Sequence, residues 1–478
     1  MNKIKEILYN KSLENYHNIV FYLRDIIKGT EFEGKLYTVG GCVRDILMHN
    51  HIKDIDMVVN MPNGGIKFAN WLYKNNYVKG SVVVYETYGT AMLKLSKFPF
   101  MELEFVQTRK EQYRDKNSRN PETCYGTIEE DCYRRDLTIN SLYYNVSEGK
   151  IIDITGLGIS DINNHIIRTP CDPDITYNDD PLRILRCIRF ATRYGWTNNI
   201  SEATLNGMLK NVDRLSIITQ ERITDEFNKI ICNENAVLGL ELMKKVGAMK
   251  YVIPELEKTY DLKQSKHHFG TVWEHTLSVV DKVVGTTELR LAALLHDIGK
   301  INTMKVTEDG MIHFYKHDME SSKMCYEILK RMKYSNEIIN FVTKVVNLHM
   351  RTKPWGDDCK MMSDRKLRKL QYNFNNLEEF QLYLEIVDAD NKSHAKEYCL
   401  NNQVDRIFKR TMEMVEDGST VFKNFKLPIN GNDIMKLKNI KPSNEVKLYI
   451  DYLLKLSYIN PKMTKEECLT KIKNIKLC

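Results

Sequence analysis

The eleven cysteines include no Cys-x-x-Cys pair, and the 478-residue chain has no Pro- or Gly-rich linker, no internal repeat and no low-complexity tract. The lack of paired cysteines speaks against a disulfide framework and for reduced thiols in a cytoplasm-like compartment. Long apolar runs are also missing. The start, MNKIKEILYNKSLENYHNIVFYLRDIIKG, has the pattern of an amphipathic helix, and its longest apolar run is far too short for a secretory core or a membrane span. We therefore expect a cytoplasmic protein with no membrane partner. Strong charge of one sign is absent too. The net charge of +7, with 28% charged residues, is a mild basic excess that permits nucleic acid as a partner without demanding it. What is present is ordinary for a folded protein: 42% hydrophobic and 10% aromatic residues, in a chain long enough for two to four domains.

The most informative stretch is TVGGCVRDILMHNHIKDIDMVV, from Thr38 to Val59. Leu36 to Val39 suits a buried strand. Gly40 and Gly41 allow a sharp turn and close approach to a ligand. Cys42 to Met48 reads as one or two helical turns, and Asp54 to Val59 as a second strand. Residues two apart on a strand share a face, so Asp54 and Asp56 point together while Ile55 points into the core. Two adjacent carboxylates repel unless a cation lies between them, and such hard oxygen ligands suit Mg²⁺ held together with substrate phosphates. A glycine turn, a helix N-terminus and a carboxylate pair make a phosphate-and-metal site.

Further strands are expected over 81–86 and 90–95, with a hairpin turn between them. Met101 to Val106 alternates with period two, which places Leu103 and Phe105 inside and Glu102 and Glu104 on the other face. Glu104 is thereby a candidate third carboxylate beside Asp54 and Asp56. The run from Arg109 to Thr127 is polar and without period, and reads as a long loop. Glu129 to Leu142 reads as a helix, and the guanidinium groups of Arg134 and Arg135 match phosphate geometry. Asp180 and Pro181 suit a helix start, as N-cap and first helical residue. Asp180 and Arg183, three apart, share a helix face. An Asp acceptor beside an Arg donor complements the Watson–Crick edges of cytosine and adenine and opposes those of uracil and guanine. Arg186, Arg189 and Arg193 continue a basic stripe suited to RNA phosphates.

GG-x-x-RD followed by D-x-D resembles the head of the polymerase-β-like nucleotidyltransferases, in particular the tRNA nucleotidyltransferase (CCA-adding) and bacterial poly(A) polymerase family. The run from Arg109 to Leu142 is similar to that family's loop and RRDFTINAL motif, with Leu137 in place of Phe. Asp179 to Arg183 resembles its EDxxR motif, with Asp179 in place of Glu. Residues 220–230 resemble its neck helices, and residues 428–435 its C-terminal region. The resemblance implies that Asp54 and Asp56 hold Mg²⁺, and that Glu104 completes the metal site or acts as base. It implies triphosphate binding by Gly40, Gly41, Arg44, Arg134 and Arg135, with Asp136, Asn140 and Arg186 in the same nucleotide site. Asp45 would support the loop or contact the sugar, and Asp180 and Arg183 would select the base.

A third cluster follows. His275, His296-Asp297, His317, His349 and Asp390 form an ordered set that looks like an HD phosphohydrolase domain. Imidazole with carboxylate suits a divalent transition metal. His275, His296, Asp297 and Asp390 would hold one ion, and His317 and His349 a second; Asp388 rivals Asp390 for the last place.

The expected fold is α+β, a polymerase-β-like head on a mixed sheet followed by all-α neck, HD and tail domains. The boundaries expected are an N-terminal helical segment at 1–33, the head at 34–165, the neck at 166–262, the HD domain at 263–396 and the tail at 397–478. The activity implied is addition of C, C and A to the 3′ end of tRNA from CTP and ATP. Addition of A alone, of CC alone or of poly(A) remains open. So does a phosphohydrolase with an RNA-binding head. The long 109–127 loop favours full CCA addition, because the family's CC-only members have a shortened loop.

Overall fold

The computed structural model describes residues 3–86, 89–112, 122–265, 267–268, 270–473 and 475. It divides into two compact units, Met1–Val252 and Ile253–Cys478.

The first unit opens with α1 (Lys3–Ile27), the amphipathic helix expected from the pattern. There follow β1 (Leu36–Val39), α2 (Gly41–Leu47), β2 (Asp56–Val59), α3 (Gly64–Lys74), β3 (Val83–Tyr85), β4 (Thr90–Leu95) and β5 (Phe98–Gln107). Then come β6 (Arg109–Gln112), β7 (Glu122–Tyr125), α4 (Ile128–Tyr133), β8 (Leu142–Asn145) and β9 (Lys150–Asp153). Seven strands make one sheet in the order β3-β4-β5-β2-β1-β8-β9. Its β2–β5 pair is parallel and the other pairs antiparallel. One face is packed by α3, which approaches so closely that a Cβ on Gly65 would meet the Phe105 carbonyl oxygen at 2.4 Å. Phe68 of α3 packs edge to face against Phe32 and Phe105. That leaves the opposite face of β2 and β5 for the site.

Helices complete the unit: α5 (Gly158–Asn163), α6 (Pro173–Asp179), α7 (Leu182–Tyr194), α8 (Glu202–Asn211), α9 (Gln220–Ile231), α10 (Ala236–Val246) and α11 (Met249–Val252). At the start of α7 the N-cap is Pro181, one residue later than expected, while Asp180 just before it accepts from Leu182 N at 3.1 Å.

The second unit holds α12 (Val272–Lys282), α13 (Thr287–Leu295), α14 (Lys300–Thr303), β10 (Met304–Val306), β11 (Ile312–Phe314), α15 (His317–Arg331) and α16 (Asn336–Leu348). It continues with α17 (Asp364–Gln371), α18 (Leu377–Asn391), α19 (Gln403–Glu416), α20 (Gly431–Lys438), α21 (Asn444–Ser457) and α22 (Lys465–Lys473).

Four local expectations are corrected. Strand β2 begins at Asp56, not Asp54, because β1 turns away at Gly40 and leaves residues 54 and 55 without a partner on that side. The helix expected over 129–142 ends at Tyr133. Leu142 to Asn145 instead pairs with both β1 and β9, and that ladder outweighs helical propensity. The ends of the long loop pair as β6 and β7; residues 113–121 lie outside the described residues. The second unit is not wholly helical, since β10 and β11 form a small ladder.

Candidate active site and metal clusters

Asp56 and Glu104 are direct register partners on the parallel β2–β5 ladder, so their side chains stand side by side on the open face. Both line a cavity of about 600 Å³ together with Arg109, Arg134 and Arg135. Asp54 is exposed, Ile55 buried and Asp56 exposed, the alternation the sequence suggested. Asp56 is open to solvent on its cavity side and crowded by protein elsewhere. This desolvation raises its carboxyl pKa; Asp54 adds to the rise, while Arg135 and Arg44 oppose it. Glu104 is raised as well, by desolvation and then by Asp56, with Arg109 opposing. Asp56 and Glu104 are hard oxygen donors of the type a divalent ion takes, but Asp54 does not line the cavity, and the three acids are not among the close metal-ligand groups of the described residues.

The arginines are aimed by a residue the sequence reading passed over. Asp131 on α4 is fully buried and binds Arg134 Nη2 at 2.6 Å and Arg135 Nη2 at 2.9 Å. It also accepts from the Tyr143 hydroxyl at 2.6 Å and from Arg109 N at 3.1 Å. Burial pushes its carboxyl up, but the two guanidinium groups and Tyr143 outweigh that and hold it well below the usual range. The available signal was its spacing, three and four residues before Arg134 and Arg135 within the helix expected over 129–142. Arg135 lies against Gly40, whose φ is 71°; a Cβ there would sit 3.4 Å from the Arg135 Nη1.

Five of the remaining predicted nucleotide-binding residues form one continuous polar and ionic network. Buried Arg44 donates to Asp45 at 3.0 and 2.9 Å and to the Asn140 side chain. Asn140 donates to Asp136 at 3.0 Å, and Asp136 binds Arg186 at 2.7 Å. The network reaches α9 through Glu226, which pairs with Arg189 at 2.7 Å. Arg44, Asp45, Asp136, Asn140 and Arg186 are thus brought together, but mainly onto one another. Asp180 receives Arg222 at 2.9 Å, and the Arg183 guanidinium is buried and donates to the Thr176 carbonyl at 3.3 Å. Gly41, the first residue of α2, has the Arg44 guanidinium 3.6 Å from a built Cβ.

In the second unit all six predicted ligands converge. Asp297 faces His296 Nε2 at 3.2 Å and His275 Nε2 at 3.5 Å through one oxygen, and His317 Nε2 at 3.2 Å and His349 Nε2 at 3.8 Å through the other. Asp390 reaches His275 at 3.1 Å. Its rival Asp388 pairs instead with Lys392 at 2.7 Å. Two three-ligand groups result, His275–His296–Asp297 and Asp297–His317–His349, all buried. The His349 Nε2 is buried without a hydrogen-bond partner in the protein, which is what a metal ligand looks like without its ion. Burial, then His317 and His296, pushes its pKa down to about 3, so the ring is neutral and able to ligate. Two lysines went unread in the sequence: Lys300 binds Asp297 at 2.7 Å, and Lys353 binds Asp390 at 2.9 Å.

This geometry defines a nucleotidyltransferase head in one unit and an HD-type cluster in the other. Comparison with known proteins agrees. Residues 36–168 match the poly A polymerase head domain, 199–259 the "probable RNA and SrmB- binding site of polymerase A", and 272–390 the HD domain. A tRNA nucleotidyltransferase of Schizosaccharomyces pombe is 26% identical over 465 residues, 91% of this chain and 90% of that protein. The mitochondrial CCA tRNA nucleotidyltransferase of Saccharomyces cerevisiae is 35% identical over 225 residues, 44% of this chain and 40% of that one. The crystal structure of the Bacillus stearothermophilus CCA-adding enzyme in complex with CTP has the same fold, with a TM-score of 0.65 at 18% identity, covering 91% of this chain and 92% of that one. The chain thus carries a poly A polymerase head domain and an HD domain, its relatives are named as CCA tRNA nucleotidyltransferases, and both kinds of domain imply dependence on divalent metal. No helix among the described residues is long and apolar enough to cross a membrane.

Proposed function

We propose that this protein adds C, C and A to the 3′ end of tRNA, using CTP and ATP. The observation that carries the reading is the Asp56–Glu104 register pair beside the Asp131-anchored arginines, in one cavity. Asp54, Asp56 and Glu104 hold the divalent ion, which we take to be Mg²⁺; when bound, it stabilises charge on the α-phosphate and lowers the pKa of the attacking 3′-hydroxyl. Glu104 serves as ligand or as base, and its raised pKa suits the base role. Arg134 and Arg135 neutralise the triphosphate, with Gly40 and Gly41 giving the backbone close access. Asp180 and Arg183 read the base, which requires the incoming edge to share or replace the Arg222 and Thr176 contacts. The Arg44–Asp45–Asn140–Asp136–Arg186 network holds these two halves of the nucleotide site in register.

Addition of A alone, of CC alone or of poly(A) is less favoured, because the relatives are named for CCA addition. The ten described cysteines are all free thiols, which fits a reducing compartment, and we take this to be the cytoplasm. The convergence on Asp297 favours a second, metal-dependent phosphohydrolase activity in the HD domain, with a transition metal as its ion. The test of the main reading is incubation of tRNA ending at its discriminator base with labelled CTP and ATP. Three added residues in the order C, C, A support it; absence of incorporation overturns it.

A further inference from the structure

The sheet face that carries the catalytic acids does not end at Glu104. Register partners run straight across it, from Asp56 to Glu104, from Glu104 to Met92 and from Met92 to Val83 on the edge strand. Thr90 pairs with Tyr85, and alternation puts Thr90, Met92, Val83 and Tyr85 on that same face. The β3–β4 wall of the cavity, made of Tyr85, Thr90 and Met92, is uncharged. Tyr85 is 47% exposed and Val83 45% exposed, although both lie on a strand of the central sheet. On the other side of Asp56 stand β1, Gly40 and Arg135, where charge suits phosphate.

Nucleotidyl transfer proceeds by in-line displacement, so the attacking hydroxyl enters opposite the departing pyrophosphate. If the triphosphate lies by Gly40 and Arg135, the attacking strand arrives from the β4–β3 side. An unpaired RNA end is held chiefly by stacking of its bases on aromatic side chains, and an uncharged wall with an exposed tyrosine offers that contact. We propose that Tyr85, flanked by Val83 and Met92, is the stacking platform for the last unpaired base of the RNA acceptor, holding its 3′-hydroxyl at the acids. This rests on the nucleotidyltransferase reading above.

The test is steady-state kinetics of the full-length protein on tRNA lacking its CCA end, comparing wild type with Tyr85→Ala, Tyr85→Phe and Tyr85→Trp. Loss of one stacked base raises KM for tRNA about tenfold in Tyr85→Ala, leaves KM for CTP unchanged, and is restored by Phe and Trp. A 2-aminopurine at the discriminator position is quenched on binding to wild type and less so on binding to Tyr85→Ala. An unchanged tRNA KM, or an equal rise in the CTP KM, overturns the platform while leaving the activity assignment standing. A wild type that adds nothing to tRNA overturns both.

Discussion

Asp131→Asn removes one charge and almost no volume, from a carboxylate with no exposed surface. That carboxylate binds two guanidinium groups, a tyrosine hydroxyl and a backbone N–H. Breaking a buried charge pair from one side costs about 3–5 kcal/mol, because the partner charge is left without its counterion. With a urea dependence of about 2–3 kcal/mol per molar, the midpoint of the first unfolding transition drops by roughly 1–2.5 M. A second consequence follows from the site. Arg134 and Arg135 lose the anchor that aims them, and loss of about 1.4 kcal/mol of phosphate contact raises KM for CTP and ATP about tenfold. Urea titration followed by tryptophan fluorescence, with nucleotide kinetics below the transition, reads both. A midpoint shift worth less than about 1 kcal/mol together with unchanged nucleotide KM would refute the argument that Asp131 organises this side of the cavity.

Asp56→Ala should lower nucleotide addition by several orders of magnitude, since the metal contributes several kcal/mol of charge stabilisation; near-normal rates would remove the metal assignment. Arg183→Ala should relax the choice among the four nucleoside triphosphates more than it weakens Mg²⁺ binding, as read by competition between CTP and UTP; unchanged selectivity would reject its base-reading role. Acid stability should follow Asp131 and Asp136, whose carboxyls are held below their usual range by neighbouring arginines against the opposing effect of burial. Their contribution is complete above the unfolded value of about 3.9 and is lost as pH falls through the depressed folded values, so Asp131→Asn should flatten the stability profile below about pH 4. Removal of divalent metal by chelation, followed by metal analysis after reloading, should show that His349→Ala loses ion from the HD cluster while Asp56→Ala does not; equal metal content in the His349 variant and wild type would count against its ligand role.

The sequence made the open face legible because strands have a period of two. Asp56, Ile55, Leu103, Glu104 and Phe105 all point as the alternation requires, and Glu104 indeed falls beside Asp56. The six clustered residues of the HD domain were legible as chemistry, since buried imidazoles and carboxylates are costly without one another. The strand start at Asp54 was misread because a ladder ends where its neighbour turns, and that depends on Gly40 of another element. Asp131 was invisible for a related reason: in sequence it is one more acid in a Glu-Glu-Asp helix start, and only folding removes it from water. The inward pairing of Arg44 and Arg186 is likewise a product of tertiary contact, and spacing alone does not distinguish a guanidinium held by Asp136 from one waiting for phosphate.

The central claim is that one sheet face joins metal-binding acids to a C- and A-reading helix start. It is tested most directly by offering tRNA that ends at the discriminator base all four nucleoside triphosphates in competition and sequencing the product ends. The account predicts C, then C, then A, then a stop, with UTP and GTP excluded. Open-ended A tails, indiscriminate incorporation or an unextended end would contradict it.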